Sequence, residues 1–459
     1  MRGFQIRVKP QFTFELKLIK YLRRFQIRIT PQTILDSSLI CYICWNVVRV
    51  VIYRLIRMEN LAYGITYFLI YALLAIYLVW SRRKLTKESV MILLGMAAYL
   101  WITCLLHPEY HALFFEEGKI TLSDQIITKQ IFTFTSGVSI LPIICLYKRS
   151  DDFMRTVTFA YFVKALFSIM LHFTGNFETM RSSITSSDSY SMSMGYASLI
   201  PMLIMGYGFI RSTDVAQRIV YLVTAVAMLW MVLISGTRGA ILCIIIFGFM
   251  YLMYGINYQF KTLAKFGILA AALLLAYLCL YSTLLYDIGT FLSNLGITSR
   301  SINALLNGEI SNDNGRSGLQ EKALSLIAEG GPFGTGFCSS RYHYAGAYPH
   351  NIFLEILIDM GYVGGSIFIL LLAIGLIRFF VTVKDYHWRV LFIIFFSCAA
   401  GRLMVSSSFW MEPFFWQAVA IGIAAVQWQK NDDIADNRLQ LSSFINKISE
   451  KYFGITMQR

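Results

Sequence analysis

Charge is scarce in this sequence. Asp, Glu, Lys and Arg make up 14% of the 459 residues and 57% are hydrophobic, against about 25% charged and 45–50% apolar in an ordinary soluble protein. A water-soluble enzyme is therefore excluded. No cleavable signal peptide is expected either, because the first 35 residues are basic and contain no adequate apolar core. The eight cysteines include one C-x-x-C, Cys41 and Cys44, with neither a second pair nor a nearby His, so they read as small packing residues rather than a metal or redox centre. The acidic stretch with Glu109, Glu116, Glu117 and Asp124 has no D-x-D, and the Gly-rich stretch at 330–336 has no following Lys-Ser/Thr. Metal-dependent sugar transfer and P-loop nucleotide binding lose their usual signatures.

What is present is hydrocarbon. A mean hydropathy of +0.59, spread over blocks of roughly 20 apolar residues that can each cross about 30 Å of lipid, indicates an all-α, polytopic bundle of membrane-spanning helices. Apolar runs predict spans near 36–56, 62–80, 89–106, 127–147, 153–174 and 192–210. A further six are expected near 218–235, 237–254, 262–285, 351–377, 389–404 and 408–427. Twelve crossings leave both termini on one side. Assigning that side to the cytoplasm puts 27 of the 40 basic residues inside, ten outside and three (Arg49, Arg54, Lys164) within spans, as the positive-inside rule requires. The net charge of +14 is thereby a matter of topology, and nucleic acid is not an expected partner.

The chain divides into a basic amphipathic tail (1–35), a transmembrane bundle (36–427) and a second cytoplasmic tail (428–459). The first tail contains a small repeat, FQIRVKPQ at 4–11 and FQIRITPQ at 25–32, whose alternation of basic and apolar residues suits an anionic leaflet. The second, RLQLSSFINKISEKYF, has apolar residues at helical spacing. Between the ninth and tenth spans runs a long outer loop, 286–349, in which Leu319, Ala323, Leu324, Leu326 and Ile327 predict a helix.

Three stretches carry the candidate chemistry. In YPHNIFLEILIDMGYVGG, Pro349 and His350 close the long loop and Asn351 is placed to cap the next helix. His350 is then a proton acceptor at the water boundary, and Gly361, Gly364 and Gly365 allow close packing of backbones. In SGTRGA (235–240), Arg238 is a permanent charge at the membrane edge, facing an anion or snorkelling to lipid phosphate. In GRSGLQEKALSLIAEGGPFGTGF, Arg316 opens a helix and four glycines turn the chain back towards His350.

Together these stretches resemble the O-antigen ligase and polymerase family of glycosyltransferases over roughly 200–380. The likeness rests on SGTRGA opening a span, GRSGLQEKAL, the GTGF turn and HNIFLEILIDMGYVG. Asp359, two before Gly361, is shorter than the Glu of the commoner form. The resemblance implies an undecaprenyl-pyrophosphate-linked glycan donor, a glycan acceptor and an active site on the outer face of the cytoplasmic membrane. It also implies that Arg238 and Arg316 hold the pyrophosphate and that His350 takes the acceptor proton. No metal or cofactor is called for. Arg181 and Arg402, in outer loops, are further candidates for the sugar or phosphate path. Asn351 and Glu321 are candidate binding residues, and Glu321 and Glu355 could orient their neighbours or pair with surface charge. Membrane lipids, a chain-length regulator and other polysaccharide-assembly proteins are the expected partners. The competing class is a lipid-linked oligosaccharide flippase, which should show two matching broken helices and buried mid-membrane charges. Lys164 is the one ionisable residue read clearly inside a span.

Overall fold

In the computed structural model the described residues are 29–116, 128, 131–132, 137–173, 192–235, 237–254, 290, 316–345 and 347–429. Among them there are helices and no strands. In chain order the main helices are α1 (Pro31–Ile43), α2 (Trp45–Ile56), α3 (Glu59–Ser81), α4 (Lys87–Leu106), α5 (Ser150–Phe173), α6 (Met192–Arg211), α7 (Val215–Ile234), α8 (Arg238–Tyr254), α9 (Arg316–Gly330), α10 (Ile352–Thr382) and α11 (Tyr386–Leu403). A last one, α12, covers 413–429. Five described helices are long and apolar enough to cross a membrane, or six when the bent pair α1–α2 counts as one. The span expected at 262–285 lies outside the described residues, as do residues 1–28 of the first tail and 430–459 of the second; the described end of the first tail already enters α1, which begins at Pro31. Of the span expected at 127–147, the described part includes a 3-10 turn, Val138–Ile140, and a short helix, Leu141–Ile144.

Helix starts follow the capping residues. Thr30, Thr86, Asp214 and Asp385 each accept from a backbone N–H of the first turn of α1, α4, α7 and α11, satisfying donors that would otherwise meet lipid. The outward faces are apolar: Leu55, Phe68, Val79, Leu105 and Val381 are each more than 70% exposed. In water such a surface would aggregate. Hydrocarbon is its natural solvent, and the chain is an integral membrane protein. α11 runs through the middle, with Trp388, Val390, Leu391, Ile393 and Ile394 fully buried, and Gly401 lets it approach α8 so closely that a Cβ there would lie 2.6 Å from Cys243 Sγ. Cys44, Cys145, Cys243, Cys338 and Cys398 are buried free thiols, in keeping with a packing role.

Two of the expected straight spans are broken. α1 and α2 meet at Cys44 with a bend of 82°. α10 is interrupted at Gly361, whose φ of 71° and ψ of 177° are outside any helix. It is therefore a short helix, 352–360, followed by a 21-residue one, 362–382, which spans about 31 Å by itself.

Side-chain contacts sort the loops to two ends of the bundle. At one end Ser150 Oγ donates to Asp385 (2.9 Å), Tyr207 Oη meets His387 Nδ1 (3.0 Å) and Gln427 donates to the Glu88 carboxylate. At the other Phe337 N–H donates to Thr103 Oγ1 (2.8 Å), Tyr110 Oη meets His343 Nε2 (3.0 Å) and Tyr348 Oη donates to Ser406 O (2.5 Å). α4 links them, since Glu88 and Thr103 are fifteen residues apart on it, or about 23 Å. Arg82, Arg83, Lys84, Lys87, Lys148, Arg149, Arg211 and Lys384 gather at the first end, while Arg238, Arg341 and Arg402 belong to the second.

Candidate functional site

The second end is organised by the break in α10. Its free backbone groups are taken by the Gly-rich turn: Thr335 N–H donates to Ile358 O and Gly336 N–H to Asp359 O, both at 2.9 Å, while Val363 N–H donates to Pro332 O at 3.1 Å. The two chains lie so close that a Cβ on Gly334 would stand 2.6 Å from the carbonyl oxygens of Ile358 and Asp359. The glycines of GTGF and of the HN helix are thus partners in one joint. Close backbone approach was expected of Gly361, but against a neighbouring helix. The observed contact is with a turn filling a helix break.

Two carboxylates on the short helix 352–360 then tie down the surrounding loops. Asp359, fully buried, accepts from Ser339 Oγ (3.0 Å), Ser340 N–H (3.0 Å) and Trp410 Nε1 (2.6 Å). Glu355, 1% exposed, accepts from Ser408 Oγ and from Phe409 N–H (3.0 Å). Glu355 was expected to orient a neighbour or pair with surface charge. It is instead an interior acceptor for loop 404–412. The i, i+4 spacing puts both acids on one helix face, and two acids in an apolar run are a readable signal of an interior polar cluster.

The loops so fixed converge on Tyr348. Its ring lies 4.2 Å from that of His350, centroid to centroid, and 4.5 Å from the Arg341 guanidinium. Burial raises the Tyr348 hydroxyl above its ordinary pKa, Arg341 and Arg402 pull it down, and Glu355 and Glu412 push it up. Four ionisable side chains therefore act on one phenol. His350 is half-buried and sits at φ 54°, a left-handed conformation uncommon outside glycine. Asn351 follows it as the expected cap, its Oδ1 accepting from Phe353 N–H (2.9 Å) and Leu354 N–H (3.3 Å).

The SGTRGA turn joins this cluster through α6. Ser235 and Thr237 are buried against Gly195, and Gly239 faces Tyr196 so closely that any Cβ would overlap its hydroxyl. Tyr196 Oη in turn bonds Ser406 Oγ (2.5 Å), and the Ser406 carbonyl receives Tyr348. Arg238 and Arg316 are the first residues of α8 and α9, and their side chains lie outside the described residues, as does Arg181 altogether. The expected loop helix is present as α9. It packs through Ala323 and Leu326 on Ile358 and Tyr344, with Leu319 O accepting from Tyr344 Oη (2.7 Å) and Lys322 Nζ donating to His343 O (2.6 Å). Glu321 is on its exposed side.

Arg402 has a protein partner. Its Nε lies 3.1 Å from Glu412 Oε2, Glu412 is fully buried, and the guanidinium stacks 4.6 Å over Tyr196. Removing one member of a buried pair strands the other charge and costs about 3–5 kcal/mol. Arg402→Met should accordingly lower the melting point in detergent sharply, and Arg402→Met/Glu412→Gln should recover most of the loss. A double variant no more stable than the single one would show that Glu412 is not the group being stranded. Arg341, Tyr348 and Glu412 are residues that sequence reasoning missed. Arg341 belongs to none of the three motif stretches, and nothing in the spacing shows that it meets Tyr348.

With this geometry in view, residues 223–369 match the family model described as O-Antigen ligase, so the O-antigen ligase/polymerase resemblance holds over that segment. The segment contains the SGTRGA turn, the start of α9, the Gly-rich turn, His350 and the α10 break. No curated protein and no solved structure matches the chain.

Proposed function

We propose that the chain is a membrane glycosyltransferase that polymerises undecaprenyl-pyrophosphate-linked oligosaccharide repeat units of a surface polysaccharide, on the outer face of the cytoplasmic membrane. The observation that carries this reading is the meeting, at the less basic end of the bundle, of the motifs inside the matched segment: SGTRGA reaches Tyr348 through Tyr196 and Ser406, and Tyr348 packs on His350. In the reaction an acceptor hydroxyl attacks the anomeric carbon of the donor sugar and the sugar–phosphate bond breaks. The electron pair leaves on the lipid pyrophosphate, held by Arg238 and Arg316 through paired, charge-assisted hydrogen bonds. His350 takes the hydroxyl proton. Attack opposite the leaving group gives inversion. Pyrophosphate is a good leaving group, so orientation and charge stabilisation supply most of the acceleration.

The family description favours a second reading, a ligase that passes the same lipid-linked glycan to a lipid A core or to protein. The two readings share the donor and the leaving group and differ in the acceptor. A flippase is less well supported. The helix breaks at Cys44 and Gly361 are of a kind that carriers use to bind solutes, but at Gly361 the freed backbone groups are engaged by residues 331–336. The test is an assay in detergent, where no sealed compartment exists. Purified protein with lipid-pyrophosphate-linked oligosaccharide alone should lengthen the glycan and release lipid pyrophosphate. Transfer seen only after adding lipid A core or protein acceptor would replace polymerase by ligase, and no product with any acceptor would remove the enzyme reading.

A further inference from the structure

The basic end of the bundle contains a cavity that the glycan chemistry does not use. It has a volume of about 490 Å³ and is lined by Arg83, Lys84, Thr86, Lys148, Gln427 and Trp428, over a floor that includes Cys145, Leu146 and Ala424. That volume is within the range of about 300–1,000 Å³ common for small-molecule sites. Three cations border it, and none is in an ion pair among the described residues. Two lining residues are engaged by acids, the Gln427 amide donating to Glu88 and the Tyr147 hydroxyl to Asp36 (2.9 Å). Arg83 is held in place by neutral groups, its Nη1 donating to Tyr77 Oη (2.8 Å) and Leu146 O (3.3 Å), so its orientation is fixed while its charge is kept. Lys84 and Lys148 are exposed at the rim.

Such a hollow suits an anion with an apolar body. We propose that it binds the phosphate headgroup of an anionic phospholipid, such as phosphatidylglycerol, from the leaflet at this end. Phosphate suits three converging cations, among them an Arg able to offer paired N–H groups. A lipid source fits better than a free ion because the cavity opens among helix ends, where half-buried Trp428 sits as interfacial tryptophans do, and its floor is apolar. The surface-facing basic residues would draw anionic lipid to that leaflet. This site is at the opposite end from His350 and does not depend on the proposed reaction.

The test uses the full-length protein, delipidated in detergent and given phosphatidylglycerol, phosphatidylcholine or inorganic phosphate. Bound lipid is read by native mass spectrometry and protection by melting point. Phosphatidylglycerol should be retained and should raise the melting point, while phosphatidylcholine and inorganic phosphate should do neither. Lys84→Gln/Lys148→Gln changes only exposed side chains and should cut retention at least about tenfold, given the contribution of each basic residue near a charged surface. Arg378→Gln/Lys384→Gln, also exposed but outside the cavity, should leave retention unchanged. Equal retention by both double variants would overturn the site, and protection by inorganic phosphate equal to that by phosphatidylglycerol would overturn the lipid assignment.

Discussion

His350→Ala is expected to lower glycan transfer by about 10²–10⁴-fold, the usual contribution of a positioned general base, with the protein still present at the wild-type level. The ring is half-buried against Tyr348, and protein abundance is measured beside activity to separate loss of chemistry from loss of fold. The left-handed backbone at His350 offers a control that separates chemistry from strain. Asn tolerates that conformation better than Ala does but cannot take a proton at neutral pH. His350→Asn should therefore be as inactive as His350→Ala and fold at least as well. Arg238→Lys and Arg316→Lys retain charge but lose the planar paired donors, and should fall between wild type and the alanine variants. The measurement is glycan chain length in cells, together with accumulation of lipid-linked repeat unit. Wild-type chain lengths in His350→Asn at normal protein abundance would end the assignment of His350 as the base.

Much of this architecture was readable in advance, and the unread part has a common cause. The ends of α3 to α8 and of α11 fall within a few residues of the apolar runs, because in lipid a span must be a continuous apolar helix with its backbone bonds satisfied internally. The Asn351 cap and the α9 helix were legible for the same local reasons, a side-chain acceptor before a helix and apolar residues at 3–4 spacing. The break at Gly361 was not. Met360, Gly361, Tyr362 and Val363 continue the apolar pattern without interruption, and the choice between a straight helix and a broken one is made by a turn thirty residues earlier in the chain. Pairings such as Arg402 with Glu412, or Arg341 with Tyr348, are likewise decided by how loops are laid over the helix ends. Charge type and exposure side could be read for each arginine, but its partner could not. The acids of α10 were the missed opportunity, since their spacing alone marks one face.

Gly361→Ala should leave little folded protein, the largest stability effect expected of any single substitution in the joint. Its φ/ψ combination lies in a region that essentially only glycine occupies, at a cost of about 1–3 kcal/mol for other residues, and a Cβ there would overlap the backbone of Pro332 and Gly334. Relief would require the turn to withdraw, which would break the bonds from Thr335, Gly336, Val363 and Gly364, each with a net value of about 1 kcal/mol. The sum exceeds ~4 kcal/mol, the range reserved for breakdown of a specific feature. Gly364→Ala is the internal comparison. It shares the G-x-x-G of the same motif, but its added Cβ meets only Met360 Cβ at 3.5 Å, an ordinary contact. In a helix alanine is favoured over glycine by about 1 kcal/mol, so Gly364→Ala should be neutral or slightly stabilising. Monodisperse yield in detergent and melting point measure both. Equal yields for the two variants would mean that Gly361 is not held against the 331–336 turn, and that the short helix carrying Glu355 and Asp359 is positioned by something else.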